Sequence, residues 1–407
     1  MLALYIDPGT GSMLFSIVIG LIATATFGIR ALAIKLKYGF SKEKSVTNSD
    51  SIPYVIFSDH KRYWNVFEGI CRDFDNKGID VTYYTLSKDD PALTCGLEHV
   101  HAEYLGEGNK PYTKLNFLKA DILIATTPNL NVYQWKRSKD VKYYVHIPHT
   151  VDDLSGYRMF GLDHYDAVLT TGSNQNETIR ELEKLRPSIK RKELVIVGSP
   201  TLDHLYEKLK KSEPKQISKK PAILVAPSWG KSGILSRYGE KFLQALSDTD
   251  YNVIIRPHPQ TVVSEKEILE PLKDKFRNFE WNFDNDNFDV LNKADLLITD
   301  FSGIIFDYAL VFDKPLIYAN TDFDTLPYDA DWLDKEYWSL RVLPQLGYKL
   351  EEDSFADISN LIDKALHSNS LEKGRDNIRS ICWQNQTYSV KKISEYLVQK
   401  RNHLLEK

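Results

Sequence analysis

The chain has little of several things that would settle its class at once. Its three cysteines, Cys71, Cys95 and Cys382, stand far apart in 407 residues, with no CxxC pair and no Cys–His cluster. That argues against a disulfide scaffold and a zinc site, and fits a reducing compartment. There is no basic tract or basic–aromatic stripe, and the net charge is −4, so no nucleic acid partner is expected. Gly230-Lys231-Ser232 lacks the preceding glycine spacing of a P-loop. No repeat of fixed period is present, and no motif asks for a metal or a cofactor.

A long uncharged apolar run occurs at the N-terminus. From Ser12 to Ile29 there is no charged residue, and apolar character resumes after Arg30 through Leu36. About twenty such residues span a bilayer as a helix. No Lys or Arg precedes the run, whereas Arg30, Lys35, Lys37, Lys42 and Lys44 follow it. The positive-inside rule then predicts a single-pass anchor in the cytoplasmic membrane with the catalytic part in the cytoplasm. Residues 1–50 read as anchor and linker.

Beyond the linker, short apolar runs alternate with helical segments. Pro53 to Ser58, Val81 to Leu86, Asp121 to Thr126, Val141 to Ile147 and Asp166 to Thr171 read as strands, with helices at Tyr63 to Asn76 and Asn174 to Leu185. The charged stretch Lys208 to Lys220 marks a boundary. A second set follows at Ala222 to Ala226, Asn252 to Arg256, Asp295 to Thr299 and Pro315 to Ala319. The pattern predicts two α/β, Rossmann-type parallel-sheet domains, 51–210 and 211–407, facing a cleft, with helices at the end of the chain crossing back to the first domain.

Three polar motifs fall at the carboxyl ends of predicted strands, where open α/β sheets bind ligands. They are His146-Ile147-Pro148-His149-Thr150, Arg256-Pro257-His258-Pro259 and Asp300-Phe301-Ser302-Gly303. The last opens a helix, whose unpaired N–H groups and dipole favour an anion such as phosphate. Arg256 pairs either with a phosphate or with a structural carboxylate. His146 reads as a packing residue.

The ordered set His149-Thr150, Ala226-Pro227-Ser228-Trp229, Arg256 to Pro259, Thr299 to Gly303 and Phe306-Asp307-Tyr308-Ala309 resembles the CDP-glycerol glycerophosphotransferase family of teichoic acid primases and polymerases. This chain has Ile147-Pro148-His149-Thr150 where that family usually has a Trp-His-Gly-Thr loop, and Ser302-Gly303 where it usually has two serines. The resemblance implies a GT-B architecture. It also implies transfer of a polyol phosphate, glycerol phosphate first among them, from a CDP-polyol donor to a lipid-linked or glycan acceptor, with CMP released. By the same resemblance His149 is the general base; apart from the resemblance, Asp152 or Asp153 either orients it or is a solvated acid of the loop. His258 joins His149 in catalysis on the donor side. Arg256, Ser228, Lys231, Ser302 and Gly303 contact the donor phosphates, and Asp307 fixes the helix or a ribose hydroxyl. The competing readings are a GT-B glycosyltransferase, a UDP-sugar 2-epimerase-like enzyme and a non-enzymatic scaffold.

Overall fold

The computed structural model describes residues 51–406 apart from 214–219, 285, 320 and 325–335, together with positions 19, 21, 22, 24–26, 28 and 29. The expected anchor, Ser12 to Leu36, lies mostly outside the described residues. The positions described there are helical and exposed, Ile19, Leu21, Ile22 and Ile29 among them. Among the described residues no helix is long and apolar enough to cross a membrane, so the single-pass expectation gains no support from the structure.

Two parallel sheets carry the fold. The first contains β1 (Ile52–Ser58), β2 (Val81–Thr85), β3 (Val100–Tyr104), β4 (Ala120–Ala125), β5 (Val141–His146), β6 (Ala167–Thr170) and β7 (Glu193–Ile196), in the order β3-β2-β1-β4-β5-β6-β7. The second contains β8 (Ala222–Val225), β9 (Asn252–Ile255), β10 (Glu280–Trp281), β11 (Leu296–Thr299), β12 (Leu316–Ala319) and β13 (Gly347–Leu350), in the order β10-β9-β8-β11-β12-β13. Every residue of β4, β8, β11 and β12 is buried. Helices cover both faces of such strands, which is why they read as unbroken apolar runs rather than alternating ones. In the register of the first sheet Ile56 pairs with Ile124, and Ala125 with His146.

Strand order reverses between β1 and β4 in one sheet and between β8 and β11 in the other. Ligands of open α/β sheets bind outside the carboxyl ends at such a switch point. The helix Trp64–Asn76 follows β1 and buries Val66, Phe67, Ile70, Cys71 and Phe74, a spacing that places one stripe on the sheet.

The last helix, Ser389–Leu405, packs on the first sheet's side, with Ile393 and Leu397 in the same core as Tyr54, Phe67 and Ile70. Arg401 Nε donates to Asp121 Oδ2 at 2.9 Å. The crossing is close. Gln384 N donates to Thr171 O and Asn385 Nδ2 to Ile196 O, each at 3.0 Å. A Cβ on Gly172 would stand 2.0 Å from Ile381 O, and one on Gly198 2.4 Å from Gln384 O. Only glycine admits backbone so near, and Gly198 also has φ +98°. Buried Asp203 completes the joint by accepting from Trp383 Nε1 at 2.8 Å, Thr387 N at 2.9 Å and Ser389 N at 3.1 Å.

Candidate active site

Between the two sheets lie two adjoining cavities, of about 550 and 250 Å³, which share Asp152, Gly156 and Gly303 in their walls. A wider concavity of about 760 Å³ opens near the start of β8 and β9, around Ala222 and Asn252, away from all the strand-end motifs. The switch-point rule and the polar motifs favour the paired cavities, and the chemistry is built there.

His149 follows β5 and lines the larger cavity. Its Nδ1 lies 3.2 Å from the hydroxyl of buried Thr126, just past the end of β4. Tyr63 and Tyr157 flank the ring, with centroids 4.8 and 6.4 Å away. Loss of water around the imidazole, with the Arg62 charge nearby, pushes its pKa down to about 4. It is therefore neutral at physiological pH. Neither expected carboxylate orients it. Asp153 Oδ1 accepts from Ser155 Oγ at 2.5 Å, and its Oδ2 from Trp338 N at 3.1 Å, across the cleft. Asp152 Oδ1 accepts from Leu154 N at 3.2 Å. Leu154 is buried with φ +60°, a strained conformation held in the loop that walls both cavities. His146 is fully buried, its Nε2 3.4 Å from Tyr157 Oη, and burial drives its pKa down to about 3.

His258 follows β9 and lines the smaller cavity with Ser228, Trp229, Phe301, Ser302 and Gly303. It caps the helix Pro259–Ser264, and its Nδ1 accepts from Gln260 N at 3.0 Å. With Nδ1 held as an acceptor, the proton of the neutral ring sits on Nε2, a ready donor. Burial and the Arg62 charge lower its pKa, and Glu265 opposes them.

Asp300, at the end of β11, is buried and organises the donor-side loop. It accepts from Ser228 N at 3.0 Å, Ile234 N at 3.1 Å and Phe301 N at 2.7 Å. Ser302 does not cap a helix. Gly303 takes the cap position, followed by one α-helical turn, Ile304–Phe306, and then a π-helix, Asp307–Phe312, instead of a straight α-helix. Such π segments frequently sit at functional sites. Asp307 lines the larger cavity, and burial raises its carboxyl to about 7 against a hydrogen bond from Asn287.

Two expected donor contacts stand elsewhere. Arg256 turns to Asn282 Oδ1 and, at 2.9 Å, Asp284 O, which is the structural role of a strand-end arginine. Lys231 is exposed, and neither it nor Arg256 lines either cavity. Arg62, Tyr63, Thr126 and Tyr157 line or support the site without having stood out in the sequence. For Arg62, Tyr63 and Thr126 a signal existed, since they follow β1 and β4, the two strands at the switch point. Trp338 stacks on Phe306 with ring centroids 5.7 Å apart, while residues 332–335 of its aromatic stretch lie outside the described residues. Among the described residues no group of His, Cys, Asp or Glu side chains is arranged to hold a metal ion.

Two parallel-sheet lobes, with polar strand ends meeting across a cleft and a tail that returns to the first lobe, define a GT-B-like fold. The same architecture appears in the wall teichoic acid polymerase TagF, with a TM-score of 0.60 and 16% identity over 95% of this chain and 98% of that one. It also appears in the UDP-GlcNAc 2-epimerase from Neisseria meningitidis, with a TM-score of 0.54 and 14% identity over 85% and 99%. At such identities the likeness establishes the fold. The family model for CDP-Glycerol:Poly(glycerophosphate) glycerophosphotransferase matches residues 160–333, which takes in His258 and Ser302 and begins after His149. The teichoic acid glycerol-phosphate primase of Bacillus subtilis (strain 168) is 25% identical over 273 residues, which is 64% of this chain and 66% of that protein. Over residues 160–333 the chain is similar to the CDP-glycerol glycerophosphotransferase family.

Proposed function

We propose that this protein transfers glycerol phosphate from CDP-glycerol to a hydroxyl of a lipid-linked or glycan acceptor, releasing CMP, in the synthesis of a teichoic-acid-type envelope polymer. The observation that carries this reading is the pair of imidazoles set oppositely across one cleft. His149, on the first lobe, is neutral and faces the larger cavity. His258, on the second, presents an Nε2–H to the smaller one.

The acceptor hydroxyl attacks the phosphorus that bears glycerol. A new P–O bond forms to the acceptor oxygen, the bond from that phosphorus to the bridging oxygen breaks, and CMP leaves. His149 takes the acceptor proton at Nε2 while Thr126 holds Nδ1, an arrangement that general-base catalysis requires. Charge accumulates on the departing phosphate, where fixed donors contribute most. His258 and Ser302 line the cavity that would receive it, with Gly303 beside them. Asp307, with a carboxyl that titrates near neutrality, suits a hydroxyl of the donor better than a phosphate. Arg256 and Lys231 have no direct part in this scheme.

A lipid-linked acceptor would place the enzyme at the cytoplasmic face of the membrane, and the exposed Ile19, Leu21, Ile22 and Ile29 fit such attachment. Fractionation of the full chain checks this. Recovery without detergent in the soluble fraction alone would remove it. For the reaction itself, purified protein is incubated with CDP-glycerol, CDP-ribitol or UDP-GlcNAc. Release of CMP from CDP-glycerol is expected. Turnover of UDP-GlcNAc alone would replace the reading with a nucleotide-sugar enzyme.

A further inference from the structure

Arg62 is a cation that the donor side does not use. It follows β1 on the first lobe and lines the larger cavity with Asn65, Ser199 and Thr201. Its Nη2 donates to Tyr63 Oη at 2.8 Å, and the guanidinium lies 4.8 Å over that ring. These contacts hold its direction. Among the described residues it forms no ion pair, whereas its neighbour Lys61 is paired with Asp89. Its charge nevertheless reaches both His149 and His258, so it stands where the two lobes meet. Asp152 and Asp307 share the cavity, but burial pushes their carboxyls up to about 6 and 7, which reduces the negative charge they bring. The Asp59 carboxyl also feels the Arg62 charge, but burial raises its pKa as well; a guanidinium in no ion pair among the described residues, fixed by an aromatic hydroxyl beside a cavity, is suited to bind a phosphate.

We propose that Arg62 forms a second anion subsite, which holds a phosphate ester of the acceptor next to the hydroxyl that His149 deprotonates. This rests on the transfer reading given above and adds a rule of selection: acceptors that already carry phosphate are preferred over neutral ones. The phosphate can belong to a glycerol phosphate chain end or to the diphosphate of a lipid carrier. Both present the same chemistry to Arg62.

Three acceptors separate the cases: soluble glycerophosphoglycerol, a lipid-diphosphate-linked disaccharide, and a neutral alkyl glycerol ether. In Arg62→Gln the preference for phosphate-bearing over neutral acceptors, measured as a ratio of kcat/KM, should fall about ten- to a hundredfold. Arg62→Lys should restore part of it, and Lys61→Gln, outside both cavities, should match the parent. The phosphate acceptor that loses more identifies the source. Binding of CDP-glycerol by calorimetry should change less than about twofold, which separates this site from the donor contacts. A readout independent of turnover is titration of glycerol 3-phosphate into the CDP-saturated protein, which Arg62→Gln should abolish. Unchanged glycerol 3-phosphate binding in that variant overturns the subsite, as does an equal loss with neutral acceptors or an equal loss of donor affinity. If the parent releases no CMP from CDP-glycerol with any acceptor, the transfer reading fails, and the glycerol 3-phosphate titration still decides the subsite.

Discussion

His149 and His258 are the same side chain in two settings. One is enclosed by Tyr63 and Tyr157, bonded to a buried hydroxyl, and held neutral to a pKa of about 4. The other is half-buried at the cap of a short helix, its Nδ1 occupied by a backbone N–H and its pKa lowered against the pull of Glu265. Imidazole chemistry alone does not separate a proton acceptor from a proton donor. At His258 the backbone N–H on Nδ1 fixes the proton on Nε2, whereas at His149 the Thr126 hydroxyl can serve either tautomer and leaves Nε2 able to accept.

The comparison breaks most sharply at His149. His149→Ala should keep near-normal CDP-glycerol binding while turnover falls about 10²–10⁴-fold, the range for loss of general-base help. His149→Gln should do no better. Full activity with the true acceptor would move the base to another residue. His258→Ala should show the converse pattern, with donor affinity weakened by about 1.5–3 kcal/mol in calorimetry for loss of a charge-assisted contact. Unchanged affinity would place the nucleotide elsewhere. Ser302→Ala removes a hydroxyl that serves no cap, so its cost should be smaller, about 1–2 kcal/mol of donor binding. Thr126→Val should lower kcat about fivefold, for roughly 1 kcal/mol of lost orientation, with Thr126→Ser restoring it. If Ser and Val behave alike, the hydroxyl does not position the ring.

The smallest expected effect is a flat line. A base is competent when unprotonated, and a group depressed to about 4 is unprotonated throughout the neutral range. From sequence, with His149 at its reference value of about 6.5, the rate would climb through neutrality. With the folded environment included, His149 adds no limb to kcat/KM between about pH 6 and 8, where the cavity carboxyls Asp152 and Asp307 titrate, and its own decline lies on the acid side. Anionic substrate raises the His149 pKa, so the acid limb of kcat should lie above that of kcat/KM. A kcat/KM limb centred near 6.5 that persists in Asp152→Asn and Asp307→Asn would mean that the free site around His149 is wetter than its geometry indicates.

Much of this architecture is legible in the sequence, and what escapes has a shared cause. The central strands announce themselves because both faces are buried, as in Ala-Asp-Ile-Leu-Ile-Ala of β4. Of the four edge strands, β3, β10 and β13 do not: Val-His-Ala-Glu-Tyr, Glu-Trp and Gly-Tyr-Lys-Leu are short and only partly buried. The histidine and serine motifs were visible through their strand ends. Arg62 and Thr126 obey the same strand-end rule, but their residue types are commonplace, and only the strand order shows that β1 and β4 flank the switch point. Where Arg256 turns depends on Asn282 and Asp284, residues that no local pattern ties to it. The change to a π-helix at Asp307 likewise has no signal in Asp-Tyr-Ala-Leu-Val-Phe.

The returning helix Ser389–Leu405 has a consequence for assembly. The lobe built from residues 52–196 acquires its final layer from the end of the chain, so it cannot be completed during synthesis until those seventeen residues have left the ribosome. Contacts separated so widely in sequence close slowly, because the intervening chain must first be brought to order. The second lobe, whose strands lie between residues 222 and 350, waits less long, since its core closes on Ile378, Cys382 and Trp383, which precede the returning helix. The part of the protein made first is therefore the part that finishes folding last, with the apolar stripe of Trp64–Asn76 waiting in the interval as surface that a chaperone can hold.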